Sequence, residues 1–353
     1  MGLRKFVSLI AVIFLIVGCS HEQERKYLIN GIALGTPFKT IYFSDIPIKN
    51  FKTSLDSIFN EINHSMSTYI PESDISKINN GDKNILVDDH FVKVFKKSKE
   101  IWKISDGFFD PTAGIITKAN GLGPKNFDNE KDITKLLELT GFNRVQLKNR
   151  SIIKENKDIF LDFNAIAKGY CVDVISDFLK QKKIDNFLVE IGGEMVSRGF
   201  NKSTNDTWKV GISDPLKPDS PNYFTKIELK NRALASSGNY RKYKIDERSG
   251  RRIVHSVNPK TGNPFPTNVL STSVISNKCM IADAYAFNVR PFKNKFLPIF
   301  LGLLPLTTTQ LDVGYKLILL PNSSRWDVVL LTFPTVTLFP CSNNSFVASK
   351  TIF

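Results

Sequence analysis

The groups able to do chemistry stand mostly at the ends of regular segments. Asp162-Phe-Asn-Ala-Ile-Ala-Lys-Gly169 runs from an extended stretch into a helical pattern. Asn164 can cap that helix, whose free N–H groups and dipole suit an anion. Lys168, four residues on and one turn along the same face, could reach a phosphate. Read locally, an ordinary capped helix with a solvated lysine fits equally well. In Glu190-Ile-Gly-Gly-Glu194 the paired glycines allow another backbone or a flat ring to approach closely, although a simple turn is the plainer account. Ser236-Ser-Gly-Asn-Tyr240 is a similar loop. In His255-Ser-Val-Asn-Pro-Lys-Thr-Gly262 a His at a strand end precedes an Asn-Pro turn, which suits a general base, a phosphate contact or a structural imidazole. Asp110-Pro-Thr112 follows Gly107-Phe-Phe, and Asp283 sits in Ala282-Asp-Ala284 at an expected helix start. There a carboxylate can ligate a hard metal or simply compensate the dipole.

The elements that must position these loops follow from periodicity. Residues 28–44 read as a strand or hairpin. Apolar residues at 51, 55, 58, 59, 62 and 66 predict a helix from Phe51 to Met66, and 91, 94, 95, 101 and 104 predict another from Phe91 to Ile104. A third, near 131–140, stops at Gly141. Strands are expected at 144–149 and 158–163. The strongest helix starts at Asn164, with Ala167, Cys171, Val174, Ile175, Phe178 and Leu179 on one stripe and Lys180, Lys182 and Lys183 at its C-terminal end. Short strands follow near 186–191, 207–213, 225–230, 233–236, 252–257 and 269–276. Helices and strands neither alternate nor segregate, so the expected class is α+β with mixed or largely antiparallel sheets.

Composition narrows the functions. The chain has 353 residues, 42% hydrophobic and 23% charged, which excludes a disordered or collagen-like protein. Forty-eight Lys and Arg against 34 Asp and Glu give +14, a bias toward an anionic partner. Basic residues are scattered rather than clustered with aromatics, so no nucleic-acid partner is expected. Four His and four Cys without a CxxC pair place any metal among oxygen ligands. GxGxxG, P-loop, HExxH and GxSxG motifs are absent from the sequence.

The ends differ from the middle. Arg4 and Lys5 precede an apolar run, Phe6 to Val17, that is too short for a comfortable membrane span of ~20 residues. It leads into Ile16-Val17-Gly18-Cys19, which resembles a bacterial lipobox. On this reading 1–18 is a signal peptide, 19–27 is a lipid anchor and tether on Cys19, and acyl chains hold an exported protein to the membrane. Cys171, Cys279 and Cys341 read as small buried hydrophobes. Residues 287–353 hold six Pro, a density hostile to helix and central strand.

Taken in order, the motifs resemble the bacterial FAD:protein FMN transferases, the ApbE family. The resemblance covers Ala33-Leu-Gly-Thr36, Met66-Ser-Thr-Tyr-Ile-Pro-Glu-Ser-Asp74, Gly107 to Thr112, Asp162 to Gly169, Glu190 to Glu194, Ser237-Gly-Asn-Tyr240, His255 to Gly262 and Ala282-Asp-Ala-Tyr-Ala286. It implies a domain over 28–286 with an α+β fold around a flavin cleft. It further implies FAD as donor, Mg²⁺ as cofactor, and a target threonine on a subunit of a membrane redox complex. The FMN half would move to that threonine and AMP would leave. Cofactor contacts would fall on Leu34, Tyr69, Phe108, Phe109, Asp110, Asp162, Lys168 and His255. Metal ligands would be Asp283 and the Ala165 carbonyl, with His255 accepting the threonine proton and Asp283 completing the catalytic pair.

Two positions depart from the pattern. Leu34 stands where the family usually has Met, a volume-conserving change. Phe287 stands where the family supplies a metal-binding Thr, and similarity ends there, as an altered reading frame or a lineage-specific tail would produce. Two other outcomes follow from that loss: a flavin-binding lipoprotein without transfer, or a hydrolase that splits FAD to FMN and AMP.

Overall fold

The computed structural model describes residues 24–119, 132–217, 220, 223–238, 257–263 and 270–288, together with the backbone of 243–245, 252–254, 315–321 and 326–332. In chain order, β1 (Arg25–Ala33) and β2 (Thr36–Ser44) form a hairpin in register from Arg25↔Ser44 to Ala33↔Thr36. The helices α1 (Phe51–Met66), α2 (Asp74–Asn79), α3 (Asp89–Ile104), α4 (Gly114–Ala119) and α5 (Ile133–Leu137) follow. A small hairpin, β3 (Val145–Lys148) and β4 (Ser151–Lys154), precedes the long helix α6 (Ala167–Gln181). Then come β5 (Phe187–Ile191), β6 (Glu194–Arg198), β7 (Trp208–Ser213), β8 (Tyr223–Leu229), β9 (Ala233–Gly238), β10 (Tyr243–Ile245), β11 (Arg252–Val254) and β12 (Ser271–Ser276). The helix α7 (Cys279–Asn288) and the strands β13 (Tyr315–Pro321) and β14 (Trp326–Thr332) complete the described elements.

Eight strands form one antiparallel sheet in the order β1-β2-β5-β6-β9-β12-β14-β13. Helices cover one face. There Phe38 and Tyr42 of β2 and Phe187, Val189 and Ile191 of β5 share a core with Phe51, Leu55, Ile175 and Leu179. Each such buried side chain contributes roughly 1.5–3 kcal/mol. Part of the other face is covered by the β7–β8 ribbon, whose Val210, Ile212 and Leu229 pack on Met195 and Leu234. The fold is α+β, as the pattern of elements predicts.

The local predictions hold where periodicity is long. The helix α1 has the predicted bounds, and α3 starts two residues earlier than expected because Asp88 caps it, accepting from the Phe91 N–H at 2.7 Å. Residues 158–163 are not a strand. Instead Asn79 holds Leu161 through its amide, donating to the carbonyl at 2.9 Å and accepting from the N–H at 2.7 Å. One side chain thus stands in for a strand partner. Helix α5 is shorter than expected. The Pro-rich end supplies β13 and β14 because its prolines spare residues 315–332 apart from Pro321, the last residue of β13. Cys171 and Cys279 are fully buried free thiols, as expected, while Cys341 lies outside the described residues. No helix among the described residues is long and apolar enough to cross a membrane.

Candidate active site

Two tight turns form one end of the site. Leu34-Gly35 joins β1 to β2 and Gly192-Gly193 joins β5 to β6, each a two-residue loop with positive φ at both positions. Such turns match the twist of antiparallel strands. Leu34 pays a steric cost at φ 50°, a strain that folds tend to keep near functional loops. A Cβ on Gly192 would lie 2.7 Å from Thr36 Cγ2, so the paired glycines let two hairpin backbones abut.

Directly after that turn, Glu194 begins β6 and is 3% exposed. Its Oε2 lies 2.5 Å from Nζ of Lys168, the second residue of α6. Asp283, 6% exposed in α7, accepts from the Gly169 N–H through Oδ2 at 2.9 Å. A Cβ on Gly169 would sit 2.4 Å from the Cys279 carbonyl oxygen, so only glycine lets α6 and α7 touch here. That contact has a consequence for Ala165. A continuing helix would send the Gly169 N–H to the carbonyl of Ala165, four residues back. Here the N–H goes to Asp283, which leaves the Ala165 carbonyl without that partner.

Two expectations at these helix ends need correction. Asn164 does not cap α6; the residue before the helix is Ile166, which gives no side-chain cap. Asn164 instead folds into a turn on Asp162, its N–H donating to Oδ1 at 2.7 Å, and its amide reaches Thr68 Oγ1 at 3.3 Å. Nor does Asp283 start a helix. It is the fifth residue of α7, whose N-terminus is capped by Asp173 of α6, accepting from the N–H groups of Cys279 and Met280 at 2.9 and 3.0 Å. With the dipole answered elsewhere, Asp283 is left for another task.

The electrostatics fit that task. Burial raises Glu194 to about 7 even against the lowering effect of Lys168. Burial likewise raises Asp283, opposed by Lys168 and the Gly169 N–H. Burial works against the Lys168 charge, but Glu194 and Asp283 outweigh it and hold the ammonium above its ordinary range. Two ionised carboxylates and one ammonium leave one negative charge in excess. A proton or a hard divalent cation can answer it, and a carboxylate oxygen and a main-chain carbonyl are the oxygen donors such a cation takes. Among the described residues no three His, Cys, Asp or Glu side chains cluster, so the remaining ligands would be main-chain, substrate or water oxygens.

Other expected residues lie in loops tied to the Asp162 end of the 162–169 segment. The Asp162 N–H donates to the Pro111 carbonyl at 2.8 Å, joining the 107–112 and 162–169 loops. Burial and then Asp162 raise the hydroxyl of Tyr69, a residue 62% exposed overall. Asp110 accepts from Trp102 Nε1, Thr112 N, Thr112 Oγ1 and Phe142 N at 2.5 to 3.2 Å. Phe109 is buried, while Phe108 carries Lys260 4.6 Å over its ring. Lys260 also pairs with Asp106 at 3.0 Å and so ties the 257–263 turn to this loop. His255 and Cys19 lie outside the described residues. Sequence reasoning missed the roles of Glu194, Asp173 and Lys260. Only Glu194 carried a local signal, its position after Gly-Gly. A separate cleft is lined by Glu61, His64, Asp88, Asp89, His90 and Arg150, but Asp88 is spent on its cap and Asp89 on Arg150.

A lysine at a helix start, paired with one buried carboxylate and adjoining a second, is a centre that can answer the charge of a phosphate ester. The chain belongs to the ApbE family, whose model matches residues 34–290. It is 29% identical over 293 residues to an FAD:protein FMN transferase of Vibrio cholerae, covering 80% of this chain and 86% of that one. A Haemophilus influenzae protein of the same name is 28% identical, with 80% and 85% covered. Among solved structures, the flavin transferase ApbE from Vibrio cholerae superposes with TM-score 0.67 at 27% identity, over 75% of this chain and 86% of its own. The ApbE protein from Thermotoga maritima gives 0.67 at 26%, over 77% and 88%.

Proposed function

We propose that this chain is a flavin transferase that takes FAD as donor and moves its FMN half onto a threonine of an acceptor protein, releasing AMP. The observation that carries the reading is the Lys168–Glu194–Asp283 centre beside the Ala165 carbonyl, in a chain of the ApbE family. The threonine oxygen attacks the phosphorus on the riboflavin side of the diphosphate. The bond from that phosphorus to the bridging oxygen breaks, and AMP leaves with the electron pair. Such transfer needs position and charge neutralisation more than covalent help. Lys168 answers diphosphate charge, while Tyr69, Phe108 and the Leu34 turn border the flat rings. Asp283 and the Ala165 carbonyl would hold Mg²⁺, which supplies positive charge to the diphosphate when bound. His255 is assigned the threonine proton. The lipobox at Cys19 assigns the protein to the outer side of a bacterial membrane, where its acceptor is a redox membrane subunit.

One observation favours a second reading. Phe287 stands in α7 one turn beyond Asp283, where the family places a Thr ligand, and a phenyl ring cannot ligate. The chain would then bind FAD without transfer, or pass FMN to water. Incubating the full-length protein with FAD, Mg²⁺ and an acceptor domain decides the matter. Covalent flavin fluorescence on the acceptor is the expected result. FAD bound intact favours the binding protein, free FMN and AMP favour hydrolysis, and no FAD binding sinks the assignment.

A further inference from the structure

Glu194 has no part in the reaction just described, yet it makes the short ion pair at its centre. Its carboxylate is 3% exposed and 2.5 Å from Lys168 Nζ. The turn before it is rigid, because Gly192 packs against Thr36 and donates its N–H to the Pro37 carbonyl at 3.0 Å. Across from Glu194 lies the other buried carboxylate, Asp283, held through one oxygen by Gly169. Gly169 is the residue after Lys168, so the lysine backbone already adjoins Asp283. Rotation of its flexible four-carbon stem would bring the ammonium to that carboxylate. Among the described residues, however, Lys168 forms its ion pair with Glu194 and none with Asp283.

Two carboxylates therefore compete for one ammonium, and a buried charge takes whatever partner it can reach. We propose that Glu194 is a positioning residue: it holds Lys168 away from Asp283 and so leaves the Asp283 carboxylate open to a divalent cation. Without it, Lys168 closes on Asp283 and occupies the metal position with its own charge. This rests on the reading of Asp283 as a metal ligand. It also gives a role to a buried carboxylate that stands at the first position after a fixed turn.

The test reads metal binding alone, without FAD or turnover. Mn²⁺ is titrated into the full-length chain and followed by loss of the free-ion paramagnetic resonance signal. Glu194→Gln is expected to weaken Mn²⁺ binding at least tenfold. Adding Lys168→Met to that variant removes the competing ammonium and is expected to restore affinity to within threefold of wild type. Unchanged affinity in Glu194→Gln overturns the proposal. So does failure of the second substitution to rescue it, since Glu194 would then be a ligand or a structural prop. Should Glu194→Gln not fold, Lys168→Met alone must bind Mn²⁺ at least as tightly as wild type, and weaker binding overturns the proposal. If wild type itself binds no Mn²⁺, the metal reading of Asp283 fails first and takes the proposal with it.

Discussion

Asp110 and Asp283 are both carboxylates that burial raises, and both stand in motifs of the same family, yet their surroundings assign them opposite work. Asp110 accepts four hydrogen bonds from three residues, which stitch the 107–112 loop to Trp102 on α3 and to Phe142. Every lone pair is spent on protein donors. Asp283 accepts one backbone N–H and faces a lysine that is already committed to Glu194. A satisfied carboxylate is a fastener, whereas an undersatisfied one in a dry centre is a site that expects company.

The sharpest way to break this contrast is to neutralise each carboxylate with its amide. Asp283→Asn keeps an oxygen for Gly169 and removes the charge excess. Transfer to the acceptor is therefore expected to fall about 100-fold or more, the loss of a few kcal/mol of charge stabilisation. The urea unfolding midpoint should hold or rise. Asp110→Asn turns an NH₂ toward the N–H groups of Trp102 and Phe142 and leaves two donors unmet. Urea unfolding should show a loss of roughly 2–4 kcal/mol, while FAD affinity in the surviving folded protein changes less than stability does. If Asp283→Asn unfolds the protein, or Asp110→Asn kills transfer at full stability, the contrast is wrong.

The same two residues show how much was legible. Both fell in motifs that the sequence placed in order, and the helices α1 and α3 were readable because apolar residues recur at 3.6 over four turns. What could not be read is what comes from far along the chain. Asp173 caps a helix 106 residues on, at Cys279, and Asn79 substitutes for a strand partner 82 residues away. Asn164 looked like a cap because its type and place were right, but the tertiary bond between Gly169 and Asp283 reset where α6 begins. Local pattern gives element and motif; the partner of a buried polar group is a property of the fold.

A smaller effect tests whether the two helices must touch for Asp283 to be placed. The Cβ added by Gly169→Ala would meet the Cys279 carbonyl oxygen at 2.4 Å and Asp283 Cβ at 2.7 Å, neither of which can yield cheaply. Separation of α6 from α7 is expected to cost about 1–3 kcal/mol in urea unfolding. It also returns the Gly169 N–H to the Ala165 carbonyl, so Mn²⁺ affinity should drop with stability. The matched substitution on the Asp110 side, Gly107→Ala, meets only Trp102 and Lys260 side-chain atoms, at 3.4 Å or beyond. Its positive φ of 75° strains the loop, but metal binding should stay as it was.

The smallest effect separates Asp173 from both. Burial lifts its carboxyl to about 6, against the lowering pull of the Met280 and Cys279 N–H groups. A folded-state value above the ordinary 3.8 means the folded protein holds the proton more tightly than the unfolded chain. The stabilisation is complete below about pH 4 and is lost as pH rises through about 6. Two units correspond to roughly 3 kcal/mol at most, and water reaching the helix end would shrink this to about 1–2 kcal/mol. Wild type should therefore lose stability relative to Asp173→Asn as pH rises from about 4 to 6 and change little above 7, the window set by the ordinary 3.8 and the raised value of about 6. A difference that is flat across this window would mean that Asp173 caps α7 with an ordinary carboxylate, and that burial at the helix end does not perturb it as it does Asp283.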